Sequence, residues 1–477
     1  MPPGPTTTTS RHTMPVDTRG SVLASANDYA DGAPNRPSSY GAANRDIIGV
    51  LLKFSWSWAL GMVLVLSMMA WGGWCWYQQI TWGMGVAGIT HPTMWGVYIV
   101  TFVFWIGIGH AGTLISAILF LVRSRWRTGV YRASEAMTVF AVMTALLFPV
   151  LHLGRCWQAY WFFPYPNQRI LWLNFKSPLM WDVFAISTYF TVSAVFFYVG
   201  LVPDIAIFRD HSKGLVKKVY GILALGWRGT NNQWHHYMAA YGFFAAFAAP
   251  LVLSVHSVVS WDFAMAPTAG WHSTIFPPYF VAGAIFSGCA MVISLLMPMT
   301  YIFKWHAYVN TWHYENLAKM CLLTSGILTY AYGMEYFVGW YSQNPYEQTI
   351  FFWRADPWAD YGWAFYLMVF CNCVAPLAWY SKKMRTNPWS LFIIAAIINV
   401  GMWFERFNII VSSLAHNFDP QTWWYYWPTW IEWGVLIGST GWFFTWFLLF
   451  CKTFPAIAIT EIKEMVPPPV QGTTEAK

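Results

Sequence analysis

Two aspartates and a histidine lie at the ends of long apolar segments of this chain. His152 closes one segment, Asp182 opens the next, and Asp262 closes the one after that. A carboxylate or an imidazole among Trp and Tyr side chains can accept a phenolic proton, while a second polar group fixes the ring by hydrogen bonding. The trio therefore predicts a pocket for the head of a quinol. In the alternative interpretation, Asp182 and Asp262 are only caps of helix ends at the membrane interface.

A second set of ionisable residues lies deeper within the apolar segments: His110, Glu335, Glu405 and Arg406. A charge inside a membrane span is costly unless it faces protein or water, so each of these residues is a functional candidate. Such a set predicts a proton relay, and structural ion pairing between helices is an equally open alternative. Because adjacent residues of a helix do not face each other, we expect Glu405 and Arg406 to pair with other helices.

Glu135 opens the segment that His152 closes, 17 residues later, or about 25 Å along a helix. The two residues thus mark opposite ends of one span, although a solvated ion pair with the neighbouring arginines is the default for Glu135. His256 is assigned to the same outer level as His152, whereas His110 lies near mid-membrane. Haem b would require axial histidines at matched depth on facing helices, and these different depths disfavour it.

The composition indicates that lipid surrounds most of the chain. Of its 477 residues, 57% are hydrophobic and only 10% are charged, which is too little charge for the surface of a soluble protein of this size. Runs of about 18 or more mainly apolar residues mark predicted membrane helices. They lie near 56–78, 94–122, 133–154, 179–203, 236–260, 275–303, 317–341, 359–380, 389–412 and 429–451. We therefore predict an all-α integral membrane protein with about ten transmembrane helices.

The basic residues predict the orientation of these helices. If the N-terminal tail is cytoplasmic, 22 of the 27 Lys and Arg residues fall on the cytoplasmic side, which is a strong positive-inside signal. An even number of spans then puts both termini in the cytoplasm and the polar trio at the outer, periplasmic face. Because the basic residues lie in short blocks between apolar runs, they do not indicate nucleic-acid binding.

The seven cysteines do not predict a metal cofactor. None of them forms a Cys-x-x-Cys pair or a Cys-x-x-Cys-His motif, so the chain supplies no evident iron–sulfur or c-type haem site. No metal site is predicted.

Several stretches of the sequence resemble the polysulfide reductase NrfD-like membrane subunits. They are Gly107 to Thr113, Glu135 to Thr138, Phe148 to Arg155 and Ser177 to Asp182. Within that family, the ten-span length, the tails and the motif Gly401 to Phe407 look most like the C subunit of bacterial alternative complex III. The resemblance covers nearly all of residues 50 to 452.

The resemblance implies two four-helix bundles, made of spans 2–5 and 6–9, with one flanking helix at each end. The chain is divided accordingly into a disordered cytoplasmic tail (1–50), the first transmembrane helix with its outer loop (51–90), a first bundle with the quinol pocket (91–260), a second bundle (270–412), the last transmembrane helix (425–455) and a cytoplasmic tail (456–477).

The resemblance also implies a quinol-oxidising subunit of a respiratory or photosynthetic complex in the bacterial inner membrane. The quinol, menaquinol in preference to ubiquinol, would bind at His152, Asp182 and Asp262, with Arg155 and His110 as further candidates. Electrons would pass to a periplasmic iron–sulfur subunit and then to a multihaem cytochrome c subunit. A second NrfD-like membrane subunit, small membrane subunits and lipid complete the implied partners. Proton translocation is proposed for the family, and its candidate residues here are Glu135, Glu335, Glu405, Arg406 and His256.

Two other functions are left open by the residues themselves. A secondary transporter also uses ten or more spans, but it predicts inverted repeats around a midplane site, and no convincing repeat is evident. A purely structural anchor would hold peripheral subunits while the working quinol site lies in a related membrane protein of the same complex. Mutation of the polar trio would then affect assembly and not intrinsic activity.

Overall fold

The computed structural model describes residues 40–163, 175–272 and 274–464, and over these ranges the chain is helical without a β-strand. The predicted tails lie largely outside the described residues, up to residue 39 and from residue 465 onwards. The prediction of disorder through residue 50 is wrong at its end, because Tyr40–Ile48 forms a helix that buries Ala43 and Ile47. A six-residue helix, Ile459–Glu464, likewise lies in the predicted C-terminal tail.

Ten long helices make up most of the described chain, and we number them α1 to α10. They are Trp56–Trp82 (α1), Gly96–Leu121 (α2), Tyr131–His152 (α3), Pro178–His211 (α4), Asn231–Ala264 (α5), Phe276–Ile302 (α6), Thr311–Tyr341 (α7), Gly362–Tyr380 (α8), Pro388–Ala415 (α9) and Trp430–Thr453 (α10). Further helices lie between them at Gly214–Leu223, Pro345–Ala355 and Lys382–Thr386.

Nine of these helices, all but α7, are long and apolar enough to cross a membrane within the described part of the chain. Helix α7 has 31 residues, so at 1.5 Å per residue it is about 46 Å long and can also span the hydrocarbon core. It contains the predicted segment 317–341 and carries Glu315, Lys319 and Glu335. The predicted all-helical membrane architecture is confirmed.

The helices pack as two adjoining groups with a separate pair at the side. In the first group, which we call the first bundle, α2 packs against α3, and α4 packs against α5. In the second group, the second bundle, α6 packs against α7 and α9, and α8 packs against α9. Helix α6 also contacts α2 and α5, so it joins the two groups. The terminal helices α1 and α10 pack against each other along their length.

Glycines allow the close approach of α1 and α10. A Cβ atom on Gly72 would lie 2.4 Å from the Cα of Gly438, and one on Gly434 would lie 2.1 Å from the Sγ of Cys75. Small residues at a helix interface bring the two backbones together, and dispersion forces then hold the helices in lipid. This contact fixes the first and last long helices to each other.

Three of the long helices contain a single π-helical turn. These turns are Leu114–Ile118 in α2, Phe370–Val374 in α8 and Asn408–Ser412 in α9. A π turn inserts an extra residue into an α-helix and occurs frequently at functional sites. In α2 and α9 the turn follows within four residues of a buried ionisable side chain, His110 and Arg406 respectively.

Successive long helices run in opposite directions, so their ends alternate between two faces. We call the face with the short helices Tyr40–Ile48 and Ile459–Glu464 the terminal face; these two helices contact each other there. We call the opposite face, which holds the end of α3, the start of α4 and the end of α5, the site face. The predicted polar trio is therefore distributed over three helix ends at the site face.

Candidate functional site

The structure brings Asp182 and Asp262 together. Asp182 is the fifth residue of α4 and Asp262 the third residue from the end of α5, and these antiparallel helices are neighbours. The two carboxyl groups hydrogen-bond to each other, and no other described group hydrogen-bonds to the buried Oδ1 atom of either. A hydrogen bond between two carboxyl groups requires one of them to carry a proton. A pair that is hydrogen-bonded in this way carries one proton and can accept one more.

The alternative of helix capping does not describe these two residues well. Asp182 lies beyond the first turn of α4, which begins at Pro178 and has Ser177 at its N-cap position. Asp262 lies at the C-terminal end of α5, where an acidic side chain is unfavourable with respect to the helix dipole. Their burial and mutual hydrogen bond are thus not explained by a capping role.

A cavity lies beside the acid pair. The residues that precede the two aspartates, Trp181 and Trp261, have their rings 5.9 Å apart in an edge-to-face arrangement. The cavity has a volume of about 510 Å³, and its walls are mainly apolar. Its lining residues are Trp181, Trp261, Ala264, Met265, His272, Thr274 and Pro277. Its size and its apolar walls beside a few polar groups are typical of a site for a small organic molecule.

His152 lies at the same face but in different surroundings. Its ring is 5.7 Å from the ring of Tyr98, and its Nδ1 atom is buried without a partner. The hydroxyl of Tyr98 donates to Oε1 of Gln79 at 3.0 Å, and the amide of Gln79 donates to the carbonyl of Leu151. No hydrogen bond between described residues joins His152 to either aspartate. The trio is thus an acid pair and a separate histidine.

Two residues of this histidine environment, Tyr98 and Gln79, were not predicted from the sequence. Both are buried uncharged polar residues, and a search for ionisable side chains passes over them. Arg155, the predicted further candidate, is exposed at this face, directly after Gly154, whose φ is 72°.

The middle of the first bundle holds a cluster of three aromatic polar residues. His110 stacks on Tyr189 with ring centroids 4.8 Å apart, and its ring is 4.5 Å from that of His256. His110 Nε2 and both ring nitrogens of His256 are buried without a hydrogen-bond partner among the described side chains. The prediction that His256 lies at the outer level with His152 is therefore wrong, because His256 shares the level of His110.

Regular helix geometry gives the distance of this cluster from the acid pair. Asp262 follows His256 by six residues on α5, and Asp182 precedes Tyr189 by seven on α4. At 1.5 Å per residue these separations are about 9 Å and about 10 Å along the bundle. The acid pair and the cluster therefore lie at two different depths along the same helices, α4 and α5.

Hydroxyl groups extend the cluster towards the terminal face. The hydroxyl of Tyr189 contacts Oγ1 of Thr113 at 2.8 Å and donates to the carbonyl of Gly109 at 2.9 Å. Thr138 of α3 also donates to that carbonyl, at 2.6 Å. Thr138 lies three residues from Glu135, so it is one helical turn from the next ionisable group.

Glu135 is buried, with an exposed fraction of only 3%. Its Oε2 pairs with Arg132 at 3.3 Å and its Oε1 accepts a hydrogen bond from the hydroxyl of Tyr241 at 3.1 Å. The ion pair with a neighbouring arginine is present, but the default of a solvated pair is wrong. The C-terminal helix Ile459–Glu464 packs at this end of the bundle, and the sequence of α3 alone does not reveal that cover.

Asp204 is a buried acid that was not predicted. It is fully buried on α4 and pairs with Arg132 at 3.3 Å. Its Oδ1 accepts hydrogen bonds from the backbone N–H and the hydroxyl of Thr460, at 2.9 and 2.6 Å. Nearby, Arg127 pairs with Glu461 at 2.7 Å. The C-terminal helix thus completes a buried ionic network at the terminal face.

The second bundle contains a separate buried ion pair. Arg406 pairs with Glu405, and Oε2 of Glu405 also accepts hydrogen bonds from Tyr332 and from Asn372. The prediction that Glu405 and Arg406 do not pair with each other is wrong, because the long guanidinium side chain folds back to its neighbour. The expected contacts to other helices are also present, since Tyr332 belongs to α7 and Asn372 to α8.

The two bundles meet at this ion pair. The guanidinium of Arg406 lies 4.3 Å from the ring centroid of Phe280 on α6, and that ring is 5.7 Å from His256. Glu335, buried on α7, interacts electrostatically with Arg354 and Glu405. Arg354 in turn donates to Oγ of Ser413. Buried ionisable groups thus continue from the first bundle into the second.

Known proteins resemble this chain over most of its helical part. Residues 85–416 match a family model described as polysulphide reductase, NrfD. Over 271 residues the chain is 25% identical to the membrane C subunit of a putative dimethyl sulfoxide reductase from Halobacterium salinarum, a match that covers 56% of this chain and 55% of that protein. Over 229 residues it is 22% identical to the C subunit of selenate reductase from Mesobacillus selenatarsenatis, with 46% and 51% covered. The chain spans about half the length of these curated relatives.

Proposed function

Because this chain belongs to the polysulphide reductase NrfD family, we propose that it is the quinol-oxidising membrane subunit of a multi-subunit oxidoreductase. The family model covers more than two thirds of the chain, and all the predicted site residues fall inside the matched range. The relatives named as reductase subunits support a role in a complex with redox partners.

The observation that carries this proposal is the hydrogen-bonded acid pair beside an apolar cavity. A quinol head is an aromatic ring with two phenolic hydroxyls, and its oxidation releases two protons and two electrons. The paired carboxyl groups of Asp182 and Asp262 are suited to accept such a proton. Trp181 and Trp261 supply the aromatic walls that a planar ring packs against.

Each residue of the site has a distinct role in the proposal. Asp182 and Asp262 share one proton before a substrate binds, so the pair has room for one more. His152, held by Tyr98 against the end of α3, is a second proton acceptor at the same face. Arg155, exposed three residues further along the chain, is the weaker candidate for contact with the quinol head.

We propose that the first bundle also relays protons between its two faces. The route would join Glu135, through Thr138 and Thr113, to the cluster of Tyr189, His110 and His256 and then to the acid pair. Buried groups with free ring nitrogens are what such a relay requires. Glu405, Arg406 and Glu335 form a branch in the second bundle, and structural ion pairing is the alternative role for them.

The remaining parts of the proposal follow from the resemblance and the charge distribution. The site face would be periplasmic and both termini cytoplasmic, in a bacterial inner membrane. Electrons would leave to a periplasmic iron–sulfur subunit and a multihaem cytochrome c subunit, as in alternative complex III. A second NrfD-like membrane subunit, small membrane subunits and menaquinol complete this assembly.

The test is to replace Asp182 with Asn and Asp262 with Asn in the assembled complex. We expect each variant to lower quinol-dependent turnover by about 10² to 10⁴, the usual contribution of a positioned acid or base. Turnover is measured with a menaquinol analogue and the complex's own acceptor. The matched control is Asp360→Asn, which removes an exposed carboxylate before α8 at the same face.

Co-purification of the partner subunits is followed in parallel. Undiminished turnover in both variants would contradict the proposal and assign the working site elsewhere in the complex. Loss of the partner subunits from the variants, with normal turnover in whatever complex remains, would favour a structural anchor.

A further inference from the structure

A second cavity lies at the terminal face, far from the acid pair. It has a volume of about 490 Å³ and is built from four separate parts of the chain. Tyr40 comes from the N-terminal helix, Thr460 and Lys463 from the C-terminal helix, and the rest from the end of α4 and the connection into α5. The lining residues are Tyr40, Pro203, Ala206, Ile207, Arg209, Asp210, Trp227, Arg228, Gly229, Trp234, Thr460 and Lys463.

The charge of this cavity is positive. Of its three cations, Arg209 pairs with Asp210 at 2.8 Å and also donates to the carbonyl of Trp227 at 2.9 Å. Arg228 and Lys463 make no ion pair with a carboxylate among the residues the structure describes. Burial lowers the pKa of Lys463, and an anion in the cavity would favour its charged form. Lys463 also interacts electrostatically with buried Asp204 and lies 5.8 Å from the ring centroid of Tyr40, so it is a cation of the cavity that is partly engaged, whereas Arg228 has no carboxylate partner among the described residues.

One wall of the cavity is apolar and another is aromatic. Pro203, Ala206 and Ile207 from α4 form the apolar wall. Trp227 and Trp234 stand edge to face with ring centroids 4.9 Å apart. A ligand with a charged head and an apolar body fits such a mixed lining better than a free inorganic ion does.

The neighbouring helix Gly214–Leu223 gives the depth of the cavity relative to the bilayer. Leu215, Val219 and Ile222 lie on one face of this helix and are 76%, 46% and 76% exposed. Lys217 and Lys218 on the same helix are exposed too. An amphipathic helix of this kind lies in the plane of the headgroup layer, with its apolar face in the acyl region. The cavity that adjoins it therefore opens at the level of lipid phosphates.

We propose that this cavity binds the phosphate of an anionic phospholipid from the adjacent leaflet. Arg228 and Lys463 neutralise the phosphodiester, Trp227 and Trp234 pack on the glycerol region, and the α4 wall accepts the start of an acyl chain. Basic pockets at the ends of membrane helices are suited to such head groups. Because both terminal helices contribute to the walls, the bound lipid would fasten them to α4, next to the network of Asp204 and Arg132.

The experiment is a lipid titration of the purified complex, followed by native mass spectrometry after delipidation in detergent. The probes are dioleoylphosphatidylglycerol, dioleoylphosphatidylcholine and free glycerol 3-phosphate. We expect one tight site for phosphatidylglycerol, with much weaker retention of the zwitterionic lipid. The double variant Arg228→Gln/Lys463→Gln is expected to weaken that site by about tenfold or more.

The matched control is Lys382→Gln/Lys383→Gln, which removes two exposed cations from the short helix Lys382–Thr386 at the terminal face. Because Lys463 is partly buried and its loss can disturb the C-terminal helix, Arg228→Gln alone, at an exposed residue, is the second variant. Equal binding of phosphatidylglycerol by wild type and both variants would overturn the proposal. Equally tight binding of glycerol 3-phosphate would assign the cavity to a soluble anion, and a crosslink from position 234 to a partner subunit, without bound lipid, would assign it to that subunit.

Discussion

Tyr189 of α4 stacks on His110 of α2 with only 5° between the two ring planes, and His256 of α5 contacts the same imidazole. Three helices of the first bundle therefore meet at one buried imidazole. The hydroxyl of Tyr189 is satisfied by Gly109 and Thr113, whereas the free ring nitrogens of His110 and His256 are not satisfied by any described side chain. Unsatisfied buried polar atoms call for a functional explanation.

Replacement of His256 by Phe tests whether those nitrogens have a function. Because no described side chain hydrogen-bonds to the ring nitrogens and the ring packs 5.7 Å from that of Phe280, Phe preserves the packing, and we expect thermal stability to change little. If the imidazole relays protons, quinol-dependent turnover of the complex falls by about 10² or more.

His306→Phe is the matched control, since His306 is exposed at the terminal face and packs on Tyr301 at 4.7 Å. Normal turnover in a stable His256→Phe protein would show that the histidine is a packing residue.

We expect mutations of the two paired aspartates to have non-additive effects on turnover. Because Asp182 and Asp262 act as one unit that holds a shared proton, the double variant Asp182→Asn/Asp262→Asn should be no slower than the slower single variant. Turnover of the two single variants and the double variant is compared in one assembled preparation. Multiplication of the two separate losses would mean that the carboxyl groups work independently.

The ion pair between Glu405 and Arg406 predicts a stability effect. Both side chains are at most 2% exposed, so removal of Arg406 by substitution with Leu leaves a buried carboxylate without its counter-ion. We expect a loss of about 3–5 kcal/mol, most of which returns in Glu405→Gln/Arg406→Leu. Thermal unfolding in detergent ranks the stability of the wild type, Arg406→Leu and the double variant.

Arg385→Leu is the control for that comparison. Arg385 and Glu315 form a more accessible pair, with 20% and 16% exposed, so the expected loss is about 1 kcal/mol or less. If Arg406→Leu unfolds no earlier than Arg385→Leu, the pair is not the structural centre of the second bundle.

The contact between α1 and α10 predicts different effects for two adjacent glycines. Gly72→Leu places a side chain against Gly438 and is expected to separate the helices, at a cost of about 1–3 kcal/mol or more. Gly73→Leu is the control, because a Cβ at Gly73 meets no atom within 4 Å among the residues that the structure describes. Thermal unfolding should distinguish the two variants, and equal midpoints would contradict this close packing of the helices.

The hydrogen bond from Thr460 to Asp204 is expected to stabilise the docking of the C-terminal helix on the bundle. Thr460→Val keeps the side-chain shape but removes the hydroxyl that donates to buried Asp204, with an expected loss of about 1–3 kcal/mol. Limited proteolysis should then cleave the C-terminal segment faster. Thr386→Val, at an exposed hydroxyl of the same face, should leave the rate unchanged.

The helices and the two aspartates could be predicted from the sequence because a single strong physical effect determines the position of each. Hydrocarbon length determines the spans, and the cost of charge in lipid singles out Asp182 and Asp262. The depth of His256 could not be predicted correctly, because the predicted segment ends at 260, whereas α5 continues to Ala264 and places this histidine about one turn further inside.

Other residues depend on contacts between distant parts of the chain. Glu135 is buried against Arg132 and Tyr241, and the C-terminal helix, more than 300 residues away in sequence, adds Glu461 to the same ionic network. Asp204 follows directly after the predicted end of a span at residue 203, so the sequence pattern places it in the solvated loop. Its burial is evident only when Thr460 and Arg132 are seen on either side of it.

Each π-helical turn divides its helix into two segments whose side chains are rotated relative to each other about the helix axis. Each residue of an α-helix turns the chain by about 100°, so one extra residue in Leu114–Ile118 rotates everything beyond it by roughly that angle. The segment of α2 with His110 can thus face α4 and α5 while the segment beyond the turn presents a different stripe of side chains. Asn408–Ser412 divides α9 in the same way, just after Glu405 and Arg406. Both halves of such a helix can therefore be packed for different neighbours without either constraining the other.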